Sequence, residues 1–374
     1  MDNQDRILQV NVERDGGVFS LVFAVNSVIK ESVKFDYYTM KEFPRDKVYE
    51  DLLSLGARIY AQERKSNKLI NHICLPFDFY KFIKKQKYEI IHVHSDSAWK
   101  LLIYLIPAKA AHIDTIIVHS HSSYVNGKFK WIKKTLHKLS KLFLPVFATD
   151  FCTCSKEASE WMYPDKVKKK VYMIHNGIDV NKFCFDLDVR MKLRSKLGLK
   201  ENNILLGTVG DFSHLKNPEF IIRIFERLYK DSENYYLIFV GCGNAEEDIK
   251  LYTIENGLSD KVIFYGKTDN VSAILNAFDV FLLPSRSEGL PVCGIEAQAN
   301  GLPVLFSDQI TRDIDYMENS RYLPIDIGSE GVWCQYIQSI SPGIAGRKEG
   351  INKTIEHQFN IEHTAEEFLK LYHR

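Results

Sequence analysis

Cysteine is sparse in this chain and follows no pattern. Seven residues, Cys74, Cys152, Cys154, Cys184, Cys242, Cys293 and Cys334, are scattered over 374 positions. Their odd number and irregular spacing exclude a disulfide framework and read as reduced, buried thiols of a cytosolic protein. Cys152-Thr153-Cys154 has the wrong spacing for a zinc knuckle, and no matching pair occurs elsewhere. The start, Met1-Asp2-Asn3-Gln4-Asp5, has no basic region and no long apolar run, which reads against a signal peptide. The most apolar stretch, Leu101 to Pro107, is too short to span a bilayer. Short repeats and low-complexity linkers are lacking. Disorder is excluded by a composition of 45% hydrophobic residues with 23 Phe, 19 Tyr and 4 Trp to bury. A chain of 374 residues is more than one core usually serves, so two domains are expected.

Net charge is nearly absent, at +1, but it is unevenly spread. Met1 to His175 holds 28 Lys and Arg against 19 Asp and Glu, a net of +9. Asn176 to Arg374 holds 21 against 29, a net of −8. A basic half of this kind meets something anionic, either nucleic acid or an anionic membrane surface.

What is present is an alternation of short β-rich runs and helical periodicity. Ile7 to Val12, Ile90 to His94 and Thr115 to His119 read as strands, each ending in a polar turn. A second series follows Asn176-Gly177. It comprises Ile204 to Gly210 as a strand and turn, Tyr236 to Gly241, Val262 to Gly266, Val280 to Pro284 and Pro303 to Phe306. Strands this continuously apolar are expected where helices cover both sheet faces. Pro218 to Leu228 is a helix with Phe220, Ile221, Ile224, Phe225 and Leu228 on one face. Ile361 to Arg374 is an amphipathic helix with Ala365, Phe368, Leu369 and Leu371 among its apolar positions. The rhythm is that of α/β domains with parallel sheets. Asn-Gly at 176–177 marks the joint, giving domains 1–175 and 176–360.

The densest chemical signal runs from Pro284 to Pro303. A buried strand ends at Pro284, and a turn containing Gly289 follows. Pro291 sits where a helix begins, the position at which its missing N–H costs least. Free N–H groups at such an end favour an anion, typically a phosphate. Glu288 lies at the strand exit and Glu296 within the helix. As carboxylates, both are pure acceptors suited to the hydroxyls of a sugar and a ribose. The carboxyl ends of parallel strands are also where this architecture places a ligand.

These residues resemble glycosyltransferase family 4. Glu288 and Glu296 reproduce its E-x7-E motif. Pro284-Ser285 before it, and Glu296-Ala297-Gln298-Ala299 with Gly301-Leu302-Pro303 after it, look like the bacterial polysaccharide branch. The resemblance extends to Asn176-Gly177-Ile178-Asp179, Val209-Gly210 with Lys216-Asn217, Gly241-Cys242-Gly243 and Ala277-Phe278-Asp279-Val280. It implies a GT-B fold, with two Rossmann-like domains facing across a cleft and the 361–374 helix packing back on the first. It also implies transfer from a nucleotide sugar, with retention of configuration and without an essential metal, and a UDP-sugar is the expected donor.

Carried over by position, Glu288 would hold donor-sugar hydroxyls and Glu296 the ribose. Leu290 and Val292 would present backbone N–H groups to phosphate and sugar, with Gly289 and Gly210 in the turns beside them. Lys216 would neutralise the departing diphosphate, the charge that most needs stabilising. Lys267 would lie beside the base. His121, with His119 second, would stand near the transferred sugar, and the Gly16-Gly17 loop would approach the donor. His92 and His94, at another strand end, read as structural. Two departures stand out. Asp211 occupies the place of the family's usual Arg, with Arg286 as a substitute cation. The first glycine loop also lacks the usual following Glu, having Phe19 after Val18.

The run Lys128 to Phe143 is basic and amphipathic. With Trp131, Phe143 and the basic first half, it points to an anionic membrane leaflet. No helix-turn-helix, zinc-finger or RNA-binding signature occurs, so nucleic acid is not expected as a partner. The combined expectation is a cytoplasmic, peripherally membrane-bound hexosyltransferase. It would act on a lipid-linked oligosaccharide in capsule, exopolysaccharide or O-antigen synthesis. The alternative from another class is a non-catalytic homologue that supports a partner transferase. A sugar-nucleotide epimerase and a phosphorylase fit less well.

Overall fold

The computed structural model describes residues 6–14, 16–62, 68–125, 129–340, 343–344 and 346–374. The chain divides into two compact units. The first comprises residues 1–177 with 361–374, and the second residues 178–360. The division falls within the Asn-Gly turn segment, between Gly177 and Ile178 rather than after His175. Locally the chain ends tie down on each side. The Gly177 amide donates to the Thr364 hydroxyl at 2.9 Å, and the Ile178 amide to the Phe359 carbonyl at 2.8 Å.

The first unit is built on seven parallel strands: β1 (Arg6–Val10), β2 (Lys34–Thr39), β3 (Arg58–Ala61), β4 (Ile90–Ser95), β5 (Thr115–Ser120), β6 (Asp150–Thr153) and β7 (Val171–Met173). Their order is β3-β2-β1-β4-β5-β6-β7, that of a doubly wound sheet. β1 stops at Val10, two residues short of the expected Val12, because Asn11 turns out of the strand with φ 63°. Its side chain then donates to the His94 carbonyl at 2.6 Å, joining the ends of β1 and β4. β2, β3, β6 and β7 escape the sequence reading because polar or aromatic residues interrupt their apolar runs. The helix Ile361–Tyr372 packs on this unit. Ile361, Ala365, Phe368, Leu371 and Tyr372 enter a core with Val22, Val25 and Phe35. Leu369 stays at its margin.

The second unit has six parallel strands: β8 (Ile204–Val209), β9 (Tyr235–Val240), β10 (Val262–Gly266), β11 (Val280–Leu283), β12 (Val304–Ser307) and β13 (Ser320–Leu323). Their order, β10-β9-β8-β11-β12-β13, repeats that of the first sheet. The helix Pro218–Asp231 buries all five residues of its expected apolar face. β13 is missed by the sequence reading because Ser320 and Arg321 break its apolar character.

Asp279, in the family-like stretch before β11, is structural. It receives Arg194 at 2.9 Å and the Leu205 amide at 2.7 Å, so it locks the start of β8 beside β11.

The cysteine expectation needs correction. None of the seven forms a disulfide, but Cys184 and Cys242 are exposed and only Cys152, Cys154 and Cys334 are buried. Among the described residues, no helix is long and apolar enough to cross a membrane.

Candidate active site

In a doubly wound sheet, the loops leaving the two strands at the order reversal diverge and open a crevice. In the second unit these are β8 and β11, and their loops carry Gly210 to Asn217 and Pro284 to Pro291. Asn217 stitches the two together. It is fully buried, in the left-handed conformation at φ 57°. Its Nδ2 donates to the Pro284 carbonyl at 3.2 Å, and its Oδ1 accepts from Arg286 at 2.8 Å. Lys216 is thereby brought to Glu288, with Nζ 2.7 Å from Oε1. Burial opposes the charge on Lys216, but the Glu288 carboxylate, with Cys293 and Asp211 adding, outweighs it and raises the ammonium above its ordinary range.

Glycine shapes the back of this crevice. Gly241 sits at φ +137°, and a Cβ there would come within 1.9 Å of the Gly210 carbonyl oxygen. A Cβ on Gly243 would lie 2.5 Å from the Phe212 nitrogen. The Gly241-Cys242-Gly243 turn after β9 therefore serves close packing against the loop that carries Gly210 and Lys216.

Glu296 lies on the helix Val292–Ala299, which starts just after Pro291. It is half-buried. Withdrawal from water pushes its carboxyl up to about 8, with Lys216 pulling weakly the other way. The raised value favours the protonated form of Glu296, which offers one donor as well as acceptors. Leu290 and Val292 flank Pro291 at the helix start, where N–H groups have no intrahelical acceptor. Gly289 is part-buried in the turn between Glu288 and Leu290. Lys267 is exposed after β10, two strands from β8.

Asp211 is exposed and accepts from the Ser213 hydroxyl at 2.7 Å. Arg286 bonds Asn217 and shows no hydrogen bond or ion pair to Asp211 among the described residues. The idea that Arg286 compensates Asp211 therefore gains no contact to support it.

The first unit contains a cavity of about 660 Å³ at the ends of its strands. Asn11, Glu13, Asp96, Lys100, His94 and His121 are in its wall. Glu13 precedes the glycines and receives the Met40 amide at 3.0 Å, an acid that the sequence reading sought only after them. Gly16 caps the helix Gly17–Ile29, and a Cβ on Gly17 would meet nothing within 4 Å. Residue 15 lies outside the described residues. His119 does not line this cavity. It is completely buried, stacked 4.1 Å from His121 and 3.2 Å from His92 Nε2. Its expected contact with a donor is therefore replaced by one with its neighbouring histidines. His92, His94 and His119 are close enough in space to consider a metal ion. The His92 and His119 rings are nearly parallel, at 4°, and His92 stacks on His94 at 28°. Their nitrogens are engaged by other partners, His92 by Tyr372 and His119, and His94 by Gln9 and His121, which leaves only His119 Nε2 of the three rings without a partner among the described residues, too few for a tetrahedral site.

Two doubly wound units, with a cation–carboxylate pair at the switch point of the second, define a GT-B glycosyltransferase. Residues 41–182 match the family model Glycosyltransferase Family 4, and residues 189–316 match Glycosyl transferases group 1. The chain belongs to glycosyltransferase family 4. It is 27% identical to the putative glycosyltransferase EpsF of Bacillus subtilis over 84% of this chain and 82% of that protein. It is 29% identical to the UDP-Gal:alpha-D-GlcNAc-diphosphoundecaprenol alpha-1,3-galactosyltransferase of Escherichia coli, over 61% of this chain and 60% of that enzyme. Anabaena HepE, solved with UDP-glucose, superposes with a TM-score of 0.78 at 15% identity over 98% of this chain and 99% of that one.

Proposed function

We propose that this glycosyltransferase moves a hexose-type sugar from a UDP-sugar, with retention, onto a lipid-linked glycan in the synthesis of a bacterial surface polysaccharide. The observation that carries the reading is the Lys216–Glu288 pair at the β8/β11 switch point. A diphosphate entering there meets a lysine whose charge is already secured, and the first-turn N–H groups at Leu290 and Val292. As Lys216 turns to phosphate, Glu288 is released to accept from sugar hydroxyls. Glu296 takes the ribose, Gly210 and Gly289 leave room for the donor, and Lys267 stands beside the base. His121 in the first unit meets the transferred sugar, with the Gly16-Gly17 turn nearby. Lys216 supplies the cation that a metal supplies elsewhere, so no metal is essential. A relative named for a lipid-diphosphate acceptor and a neighbour solved with UDP-glucose support the choice of acceptor and donor.

The acceptor reading places the protein at the cytoplasmic membrane face. The helix Lys130–Ser140 buries only His137 and Ser140. Trp131 is 72% exposed and Phe143, in the 3-10 turn that follows, 54%. An apolar side that faces solvent between lysines suits an anionic leaflet. The run passes from this helix into the 3-10 turn Lys141–Phe143, and Lys128 lies outside the described residues.

The test is calorimetry against UDP-glucose, UDP-galactose, UDP and a purine sugar nucleotide, followed by transfer assays with the sugar that binds. UDP-sugar binding with turnover supports the reading. Binding of none of them would favour the non-catalytic partner, for which the exposed Asp211 is the supporting observation.

A further inference from the structure

Two hydrogen-bond chains in the first unit run from one buried anchor. Gln9, on β1, donates from Nε2 to the Tyr372 hydroxyl at 3.0 Å. With the hydroxyl proton directed to His92 Nδ1, 2.8 Å away, that nitrogen accepts. A neutral imidazole carries one N–H. The His92 proton is therefore on Nε2, which faces His119 Nδ1 at 3.2 Å. That leaves the His119 proton on Nε2, which has no partner.

The second chain starts at the amide oxygen of the same glutamine. Gln9 Oε1 lies 2.9 Å from His94 Nε2, which must donate. His94 Nδ1 is then bare and accepts from His121 Nε2 at 2.9 Å. His121 Nδ1 is left with a free lone pair and no partner, on a ring that lines the cavity. One amide has one oxygen and one NH2 group, so the second chain keeps its direction as long as Gln9 keeps its Nε2 toward Tyr372. Burial keeps all four rings neutral, with His121 held down to about 3.

We propose that Tyr372 and Gln9 are positioning residues that hold His121 as its Nε2–H tautomer, so that Nδ1, buried without a partner beside the first unit's cavity, is left as the acceptor for a sugar hydroxyl that reaches it. The identity of that ligand rests on the function proposed above; the tautomer does not. The terminal helix thus sets the polarity of a site residue through buried bonds.

Histidine-selective 15N labelling and long-range proton–nitrogen correlation test this on the whole chain without substrate. The expected spectrum shows His121 Nδ1 unprotonated and Nε2 protonated, unchanged from pH 8 to pH 5. Tyr372→Phe should convert His121 to an averaged pair of tautomers. A proton on Nδ1 of wild-type His121 would overturn the proposal whether or not the variant folds. A folded Tyr372→Phe with the wild-type His121 pattern would also overturn it, since a purely structural tyrosine changes stability alone. Lack of transfer activity beside the expected spectrum would count against the sugar-transfer reading only.

Discussion

Lys216 and Glu288 hold each other at 2.7 Å across the loops that leave β8 and β11. Both are largely covered, with 24% and 14% of their side chains exposed. In the unliganded protein each neutralises the other, so a donor must replace part of that contact. Lys216→Ala should lower turnover more than it raises the apparent Michaelis constant, because leaving-group charge is greatest in the transition state. A double-mutant cycle with Glu288→Gln, read by thermal unfolding, should show coupling of about 0.5–3 kcal/mol. A Michaelis-constant effect alone would reduce Lys216 to a ground-state anchor.

Glu296 makes unliganded stability depend on pH. Its folded value, about 8, is above the ordinary 4.5, so the folded state binds the proton more tightly than the unfolded chain. The favourable contribution is complete below pH 4.5 and declines as pH rises towards 8. Glu296→Gln removes this dependence. Its unfolding free energy should therefore gain on wild type between pH 5 and pH 9, by an amount on the order of 1–3 kcal/mol after allowance for partial exposure, read from melting curves. Parallel melting curves across that range would show that the carboxyl ionises without cost. The same variant should bind donor more weakly if the ribose site is correctly placed.

Asp211 extends into solvent, held by the Ser213 hydroxyl, in the same loop that carries Lys216. A carboxylate near a diphosphate repels it by about 1 kcal/mol or more per close pair, depending on screening. Asp211→Arg should tighten UDP binding several-fold by calorimetry. Because Arg286 bonds Asn217 instead, Arg286→Ala should combine with it additively to within about 0.5 kcal/mol. Strong non-additivity would mean that the two charges share the donor after all.

The exposed basic helix should bind vesicles containing anionic lipid. Replacing Lys130, Lys133, Lys134 and Lys138 with Gln should release the protein, at about 1 kcal/mol per lysine, and added salt should do the same. Trp131→Ser with Phe143→Ser should weaken binding even at low salt. Cosedimentation that ignores salt and all six substitutions would remove the membrane from the model.

Much of the second unit was readable in the sequence because its signals are local. Glu288 to Glu296 spans one strand exit and one helix start, and the chemistry of each residue follows from the chain within a few positions. Apolar strands such as Phe281 to Leu283 announce burial on both faces by composition alone. The family pattern also marked residues whose task proved architectural. Asp279 locks two strands, Asn217 stitches two loops, and Gly241 admits another backbone. A pattern shows that a residue type fits at a position but not what it touches.

The sequence by itself determined two parallel α/β units, the E-x7-E pair, a lysine at the second sheet's switch point and a basic amphipathic segment. Periodicity, turn chemistry and charge spacing act over short stretches and are written in the chain. Tertiary structure alone decided what spans long distances. It made the Gln9–Tyr372 bond between residues 363 apart, and gave His119 to the buried cluster while His121 kept the cavity. It also turned Arg286 to Asn217 and raised the Glu296 carboxyl. Hydrogen-bond partners, burial and proton affinity belong to the surroundings that folding assembles, and no run of neighbouring residues encodes them.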